Sequence, residues 1–175
     1  YYEAEPNEIG ELYVRGPSVM QGYCNGDETS VCRIFPGRYR GESWLKTGDL
    51  FIRDDEGYFY FKGRIKELIK QGGYCLYPTE IEDIMNQCKN AGMVSVVGEV
   101  RSDGLEYACA FVELYEDNPA ERDNYLSWLK KRLESDYSPR EIFFINEFPY
   151  GSTGKVDKKR LLEEYKNNPY TIPGR

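Results

Sequence analysis

Two apolar segments separated by a short polar connection constrain the fold of this chain more than any other feature. The segments MVSVVGEV and EYACAFVEL occupy residues 93–100 and 106–114, and Ser-Asp-Gly stands between them at 102–104. A short turn of this kind joins two strands. EIFFI at 141–145 predicts a third buried strand, because it is a short, continuous apolar run.

A helix is predicted after the Gly-Gly pair, over about residues 79–89. Thr79 and Glu82 match a capping box, in which each side chain satisfies a free backbone amide of the first turn. The apolar residues that follow have helical spacing. They are Ile81, Ile84, Met85 and Cys88.

Two further helices are predicted later in the chain. Asn118-Pro119 is a strong helix start, and Asp157 is the expected cap of the last helix. Strands and helices therefore alternate over 93–165, which predicts a compact two-layer α/β or α+β unit. The expected apolar stripes are Leu126, Leu129 and Leu133 in one helix and Leu161, Leu162 and Tyr165 in the other.

The first third of the chain is predicted to consist of strands, turns and one long loop. ELYVRG at 11–16 alternates in the manner of a strand, and residues 44–63 offer three strand-like runs with breaks at 47–49 and 54–57. Residues 24–43 are polar and rich in Gly, Arg and Ser, which predicts a surface loop. The final NNPYTIPGR is expected to be coil.

The charge and the apolar pattern exclude several classes of partner. The formal net charge of -7 disfavours a general nucleic-acid surface or an anionic membrane surface, both of which need a field of basic residues. No apolar run in the sequence approaches membrane-spanning length, and YYEAEPNEIGEL has neither a basic start nor an apolar core. The expectation is a soluble, cytoplasmic protein that binds no nucleic acid and no membrane.

The cysteine and histidine content limits the chemistry. The chain has no histidine, and its five cysteines form no Cys-x-x-Cys pair, which excludes most zinc sites and every histidine-based triad. The cysteines are expected to be small buried hydrophobic residues, and no metal ligand is assigned. Any chemistry must come from Lys, Arg, Asp, Glu, Tyr or backbone amides.

The segment YGSTGKVDKK at residues 150–159 has the composition of a phosphate-binding loop but not its spacing. In the nucleotide-binding loop G-x-x-x-x-G-K-[ST], Pro149 would stand where the first glycine belongs and Val156 where the hydroxyl belongs. Lys155 nevertheless begins a run of cations at the start of the last helix, where they oppose the helix dipole. Either an anion binds nearby, or this is a solvated basic face.

For two other features the sequence does not decide between ligand binding and a purely structural role. Gly72-Gly73, at the end of GRIKELIKQGGY (63–74), allows backbone to approach a ligand or forms a tight hairpin. Asp49, in a predicted turn, could accept hydrogen bonds from a ribose diol or simply stabilise the turn.

Four segments taken together resemble the adenylate-forming ligases. They are GELYVRGPSVMQGYCN (10–25), WLKTGDL (44–50), GRIKELIKQGGYCLYPTEIE (63–82) and PYGSTGKVDKKRL (149–161), and their order and spacing are those of the family. That family includes acyl-coenzyme A synthetases, adenylation domains of peptide synthetases and beetle luciferase. The resemblance covers nearly the whole chain.

The resemblance implies an α+β fold and two parts of a larger enzyme. Residues 1–62 resemble the β-rich C-terminal end of the large AMP-binding domain, and residues 63–175 resemble the lid, a three-stranded sheet flanked by helices. The rest of the large domain, with its phosphate loop and acyl pocket, is the expected partner. A chain without it is expected to be inactive and to self-associate through strands such as YFYF at 58–61.

The resemblance also assigns residues to the nucleotide and to the hinge. Asp49 corresponds to the aspartate that binds the ribose hydroxyls of ATP, and Arg64 to the arginine beside it. Lys66 corresponds to the hinge about which the lid rotates between two half-reactions. The cofactors implied are ATP and Mg²⁺, the latter bound mainly by the large domain.

Two loops of the lid carry the remaining implied roles. Gly72 and Gly73 correspond to the loop that lines the tunnel for the pantetheine thiol. Lys155 corresponds to the lysine that bridges the carboxylate and the α-phosphate. Many members have Arg-Thr after the proline of this motif, whereas Tyr150-Gly151 follow it here. The implied reaction joins a carboxylic acid to AMP and then to coenzyme A; a carrier-protein thiol and a non-catalytic interaction module are the alternatives.

Overall fold

Strands dominate the first part of the chain and helices appear only later, as the computed structural model shows for residues 3–20, 34–36 and 43–165. The chain divides into two compact units, Tyr1–Lys66 and Glu67–Arg175. Most of the loop predicted at 24–43 lies outside the described residues, and so does the predicted C-terminal coil.

The described residues of the first unit form a four-stranded antiparallel sheet. Its strands are β1 (Ile9–Val14), β2 (Ile34–Pro36), β3 (Ser43–Arg53) and β4 (Phe59–Arg64). The central strand β3 pairs with β1 along most of its length, with β2 at its start and with β4 at its end. The aromatic side chains of residues 58–61 are each at least half exposed, and self-association through them stays a prediction.

One predicted break in this unit is wrong. Strand β3 runs through residues 47–49, where the register with β1 shifts and Gly48 has a φ of +75°. The irregularity is a bulge, because the polar groups at this point have partners on β1: Thr47 Oγ1 donates to the Leu12 carbonyl at 2.9 Å, and the Gly48 amide donates to Glu11 at 3.1 Å. The predicted break between β3 and β4 is confirmed.

The second unit contains a hairpin and a three-stranded sheet. Strands β5 (Ile69–Gln71) and β6 (Tyr74–Leu76) form the hairpin. Strands β7 (Ala91–Val100) and β8 (Glu106–Leu114) are antiparallel, and β9 (Glu141–Phe144) runs parallel to β8. The predictions of three buried strands and of the turn between the first two are confirmed.

Within the described residues the second unit has three α-helices, and a short 3-10 helix, Ile65–Glu67, spans the boundary between the two units. They are α1 (Pro78–Asn86), α2 (Pro119–Lys130) and α3 (Lys158–Tyr165). The predicted α+β class and the sheet flanked by helices are confirmed.

Buried residues lie on both faces of the three-stranded sheet, because successive side chains of strand β8 point to opposite faces. Ala108, Ala110 and Val112 join one cluster of buried residues with α1 and α2, whereas Cys109 and Phe111 join a second cluster. The buried Leu161 brings α3 to that second cluster. Helices therefore lie on both faces of the sheet, and the unit has three layers rather than the two predicted.

The predicted capping box of α1 is wrong. Pro78 begins the helix and the preceding Tyr77 is its N-cap, without a capping hydrogen bond from the Tyr77 side chain. Pro fixes φ near the helical value, so it can begin the helix one residue before Thr79. Glu82 accepts a hydrogen bond from the Val96 amide at 2.7 Å, which ties α1 to β7 instead.

The two other helix starts are confirmed. Asn118 accepts a hydrogen bond from the Glu121 amide at 3.1 Å, and Asp157 accepts one from the Arg160 amide at 3.1 Å. Each side chain satisfies an amide that has no partner inside the first turn.

The cysteines differ in exposure. Cys109 is buried as predicted, and Cys88 is half-buried. Cys75 is exposed, contrary to the prediction, because it lies in a two-stranded hairpin of which one side faces solvent. Cys24 and Cys32 lie outside the described residues.

Candidate functional site

Asp49 and Arg64 lie opposite each other on neighbouring strands. They are register partners of β3 and β4, and Arg64 Nε is 2.9 Å from Asp49 Oδ1. The bulge in β3 places Asp49, and its amide donates to Thr47 Oγ1 at 3.1 Å. The prediction that Asp49 lies in a turn between strands is therefore wrong, since the residue is inside β3.

The carboxylate of Asp49 has unused acceptor capacity. Its Oδ1 atom is buried, and within the described ranges it accepts no hydrogen bond, because Arg64 approaches at ion-pair distance without hydrogen-bond geometry. Arg64 is 56% exposed and Asp49 25% exposed. A buried acceptor without a donor is costly, and the positive charge of Arg64 offsets part of that cost. The predicted role of Asp49 at a ribose stays a prediction.

Lys155 lies in a turn whose base is closed by backbone hydrogen bonds. The Gly151 amide donates to the Lys155 carbonyl at 2.8 Å, and the Asp157 amide donates to the Pro149 carbonyl at 2.8 Å. Gly154 has a φ of +74°, which only a residue without a Cβ adopts readily. We call residues 149–157 the lysine loop. Its backbone is fixed, and the side chain of Lys155 is exposed.

The cations around the start of α3 are not equivalent. Three of them pair with carboxylates: Lys158 with Glu67 at 2.6 Å, Lys159 with Glu163 at 3.7 Å, and Arg160 with Glu164 at 2.6 Å. Lys155 has no ion pair or side-chain hydrogen bond in the part of the chain that the structure describes. The basic cluster is therefore largely neutralised, and Lys155 remains available for an anion from outside this chain.

Gly72 and Gly73 form the turn of the β5–β6 hairpin. Their φ angles are +58° and +89°, the left-handed values that a two-residue turn of the I′ type requires. The predicted hairpin is confirmed, and both residues are exposed. A substituent at either Cβ position would meet no atom within 4 Å, so a ligand can approach the backbone closely here.

Gln71 anchors this turn, and it is not among the residues predicted from the sequence. Its side chain is buried; its amide group donates to the carbonyls of Asp136 and Ser138, at 3.2 and 3.0 Å, and its Oε1 accepts from the Ala108 amide at 2.9 Å. Such full satisfaction fixes a buried polar group in one orientation. The signal that points to it is alternation, because Gln71 lies two residues after Ile69 and so on the same, buried face of the strand, whereas Lys70 between them is exposed.

Lys66 is the last residue of the first unit and lies in the 3-10 helix Ile65–Glu67. Its side chain is exposed, and within the described ranges it has no hydrogen bond or ion pair. The division of the chain thus falls directly after it, at a short helix without buried residues.

One group of side chains in the described part of the chain has the geometry to hold a metal ion: Glu99, Cys109 and Glu141. These groups already have partners, because the Cys109 thiol donates to Glu99 and Arg101 pairs with Glu141. Burial raises the pKa of the Cys109 thiol to about 12, which keeps it protonated. The cluster is a satisfied network of the sheet rather than a metal centre.

The structure brings together Asp49 and Arg64 among the predicted site residues. Lys155 and the Gly72-Gly73 turn lie in two separate turns of the second unit. Among the described helices, none has the length and apolar character needed to cross a membrane.

The chain is similar to known proteins both in sequence and in fold. No family model matches the chain. The long-chain-fatty-acid–CoA ligase of Bacillus subtilis is 35% identical over 94% of this chain, and the indoleacetate–CoA ligase of Aromatoleum aromaticum is 34% identical over 90%. The chain spans only 28% and 30% of the length of these two relatives.

Solved structures give the same result. ATP-bound MatB from Rhodopseudomonas palustris has a TM-score of 0.77 at 29% identity. The match covers 94% of this chain and 32% of the MatB chain. The o-succinylbenzoate CoA synthetase of Bacillus subtilis, in complex with its acyl-adenylate intermediate, has a TM-score of 0.71 at 28% identity. The match covers 90% of this chain and 31% of the synthetase chain.

Proposed function

This chain is homologous to one part of the acyl-CoA synthetase-like adenylate-forming ligases, and from this relationship we propose that it supplies a ribose site and a mobile lid to an ATP-dependent carboxylic acid ligase. The domain assignment proposed is the end of the large domain for residues 1–62 and the lid for 63–175. The chain spans 28% of the first relative, so the activity proposed belongs to the larger enzyme.

The observation that carries the proposal is the state of Lys155. It is the cation near α3 that has no carboxylate partner among the described residues, and it projects from a loop whose backbone is closed on itself. An exposed ammonium that has no partner among the described residues, on a loop closed by backbone hydrogen bonds, suits an anion that arrives from outside. Of the two alternatives that the sequence left open, this supports an anionic ligand, phosphate or carboxylate, at Lys155.

In the first half-reaction proposed, a carboxylate oxygen of the acid attacks the α-phosphorus of ATP and pyrophosphate leaves. Two anions are forced together and negative charge builds on the phosphoryl oxygens. The Lys155 ammonium stabilises that charge, and Asp49 accepts hydrogen bonds from the ribose hydroxyls. Arg64 holds the carboxylate of Asp49 in place through their ion pair.

In the second half-reaction proposed, a thiol attacks the acyl carbonyl of the adenylate and AMP leaves. The lid turns about Lys66, which withdraws Lys155 and brings the Gly72-Gly73 turn to the thiol. Because both glycines leave open space at their Cβ positions, the narrow pantetheine arm can pass along the backbone. Coenzyme A is the thiol proposed, since the sequence relatives named above are CoA ligases.

The described residues do not fit a magnesium site. Mg²⁺ prefers an octahedron of oxygen ligands, whereas the one metal-capable group within the described ranges contains the Cys109 thiol and is already paired. We assign no magnesium ligand to this chain. The acid also has no assigned pocket here, and the acids in the relatives' names range from a long-chain fatty acid to indoleacetate.

The experiment that tests the proposal is acid-dependent ATP–pyrophosphate exchange by the enzyme in which this chain is joined to a complete large domain. We expect Lys155→Ala to lower the exchange rate by about a hundred- to a thousandfold. Lys159→Ala is the matched control, because it removes a neighbouring cation that pairs with Glu163 on its own helix. Exchange by the Lys155 variant at the rate of the control would refute the role of Lys155.

Two further outcomes are defined. The chain without a large domain is expected to show no exchange, and exchange at an ordinary enzyme rate would refute that expectation. No exchange with any acid in a broad panel, from a folded enzyme with both domains, would instead favour a non-catalytic interaction module.

A further inference from the structure

The first residue of the second unit is held by a residue far along the chain. Glu67 directly follows Lys66, and its Oε2 is 2.6 Å from Lys158 Nζ. The two residues are 91 positions apart. The pair therefore connects the point where the chain enters the second unit with the start of α3.

Lys158 also stands at the end of the lysine loop. The preceding residue, Asp157, closes the base of that loop through its amide and caps α3 through its carboxylate. Three residues after Lys158, Leu161 is fully buried under the sheet. The backbone of Lys158 is thus fixed on both sides, so its ammonium is a firm attachment point for Glu67.

Helix α1 contributes a third charged group to the same place. Burial raises the pKa of Glu82, and the positive charge of Lys158 opposes that rise while the negative charge of Glu67 adds to it. Glu82 is itself fixed by the Val96 amide at 2.7 Å. Lys158 is therefore attracted by two carboxylates, those of Glu67 and Glu82. Without the charge of Lys158 these two carboxylates would repel each other, and Glu67 would lose its position.

We propose that Lys158 is a positioning residue of the ligase: through Glu67 it fastens the chain just after the hinge to the base of the lysine loop, so that the second unit turns as one body about Lys66. This inference rests on the proposed function. If the residue after the hinge were loose, the place at which Lys155 arrives would vary from one closure to the next.

The energetic scale supports a role in positioning rather than in stability. Both side chains are partly exposed, 34% for Lys158 and 43% for Glu67, and exposed ion pairs add little to folding stability. Catalysis is far more sensitive, because a displacement of about 1 Å in a reacting group can cost on the order of a hundredfold in rate. Breaking the pair should therefore affect rate without unfolding the protein.

The test uses charge reversal in the two-domain enzyme, with the variants Lys158→Glu, Glu67→Lys and the double variant. Lys159→Glu is the matched control, since it makes the same change of charge at the next residue of α3, which pairs with Glu163 instead. Pyrophosphate exchange measures adenylation, and thermal unfolding measures stability.

We expect Lys158→Glu and Glu67→Lys each to lower kcat of exchange by about tenfold, with KM for ATP and the unfolding midpoint unchanged. The double variant should recover to within about threefold of the parent, because it restores the pair. Lys159→Glu should match the parent. A merely structural pair would lower the midpoint or leave every rate unchanged.

The outcomes separate this inference from the proposed function. If Lys155→Ala abolishes exchange while Lys158→Glu behaves as Lys159→Glu does, the positioning role is refuted and the ligase remains. A loss in the single variants that the double variant does not recover refutes it as well. If the parent shows no exchange with any acid, the positioning role and the proposed function are both refuted.

Discussion

Arg64 stands directly across from Asp49 in the β3–β4 register, with its Nε 2.9 Å from Oδ1 of the carboxylate. The arginine fixes the carboxylate electrostatically but leaves its buried oxygen without a hydrogen-bond donor in the described part of the chain. The pair therefore determines where Asp49 lies in the sheet, and the role of Asp49 in nucleotide binding stays a prediction.

Replacement of Asp49 by Asn should weaken ATP binding. The change removes the negative charge that strengthens hydrogen bonds from the ribose hydroxyls, and bonds to charged groups contribute about 1.5 to 3 kcal/mol. We expect KM for ATP in pyrophosphate exchange to rise by roughly tenfold or more. Asp55→Asn, at an exposed residue of the β3–β4 turn, is the control. An unchanged KM in Asp49→Asn would remove Asp49 from the nucleotide site.

Substitutions in the Gly72-Gly73 turn should change stability only through the backbone conformation that they favour. Gly72 has a φ of +58° and no neighbour within 4 Å of its Cβ position, so substitution brings strain without a clash. We expect Gly72→Ala to lower the free energy of unfolding by about 1 to 2 kcal/mol. Gly72→Asn should lose less, because Asn tolerates the left-handed region. Urea denaturation measures both, and equal losses would contradict the turn described here.

Gln71 should be intolerant of a charge. In Gln71→Glu the group that donates to the carbonyls of Asp136 and Ser138 becomes a carboxylate oxygen that faces them. We expect a loss of about 1 to 3 kcal/mol or more in the free energy of unfolding, the cost of unsatisfied buried groups. Gln87→Glu, at an exposed position after α1, should change stability far less. Comparable unfolding midpoints in the two variants would show that Gln71 is not an anchor.

Cys109 should make the stability of the second unit sensitive to alkaline pH. Burial, with help from Glu99 and Glu141, raises the pKa of this thiol from 9.0 to about 12. Above pH 9 the unfolded chain loses the proton that the folded chain keeps, so its contribution is complete below pH 9 and is lost as pH rises towards 12. The slope contributed is at most about 1.4 kcal/mol per pH unit.

This slope is measurable by urea denaturation at a series of pH values. Cys109→Ala should show a shallower decline just above pH 9 than the parent does, whatever its absolute stability. Cys75→Ala alters an exposed thiol and should keep the parent's slope. A Cys109→Ala profile parallel to that of the parent would contradict the assignment.

Local patterns predicted much of the fold, because many of its determinants are local. The strands around residues 93–114, the Asn118 and Asp157 caps and the Gly72-Gly73 hairpin each depend on residues within a few positions of one another. The wrong predictions concern residues whose partners are distant in sequence. The bulge at 47–49 exists because β1 supplies partners, and Glu82 leaves its expected cap for an amide on β7.

The candidate site divides in the same way. Motifs and their resemblance to a family pointed to Asp49, Arg64, Lys66, Lys155 and the two glycines, and their roles stay predictions. The pairing of Glu67 with Lys158 has no local signal, because the two residues are 91 positions apart. Only the folded chain shows which cations near α3 are neutralised and that Lys155 is not among them.

The three layers of the second unit have a geometric consequence. The hairpin with Gly72-Gly73 packs through Ile69 and Leu76 on one face of the three-stranded sheet, whereas Val156, beside Lys155, packs on the other. The two loops are thus carried on opposite faces of one sheet. In the ligase proposed above, a single reacting centre would meet first one face and then the other, and the change between them is a rotation of the second unit.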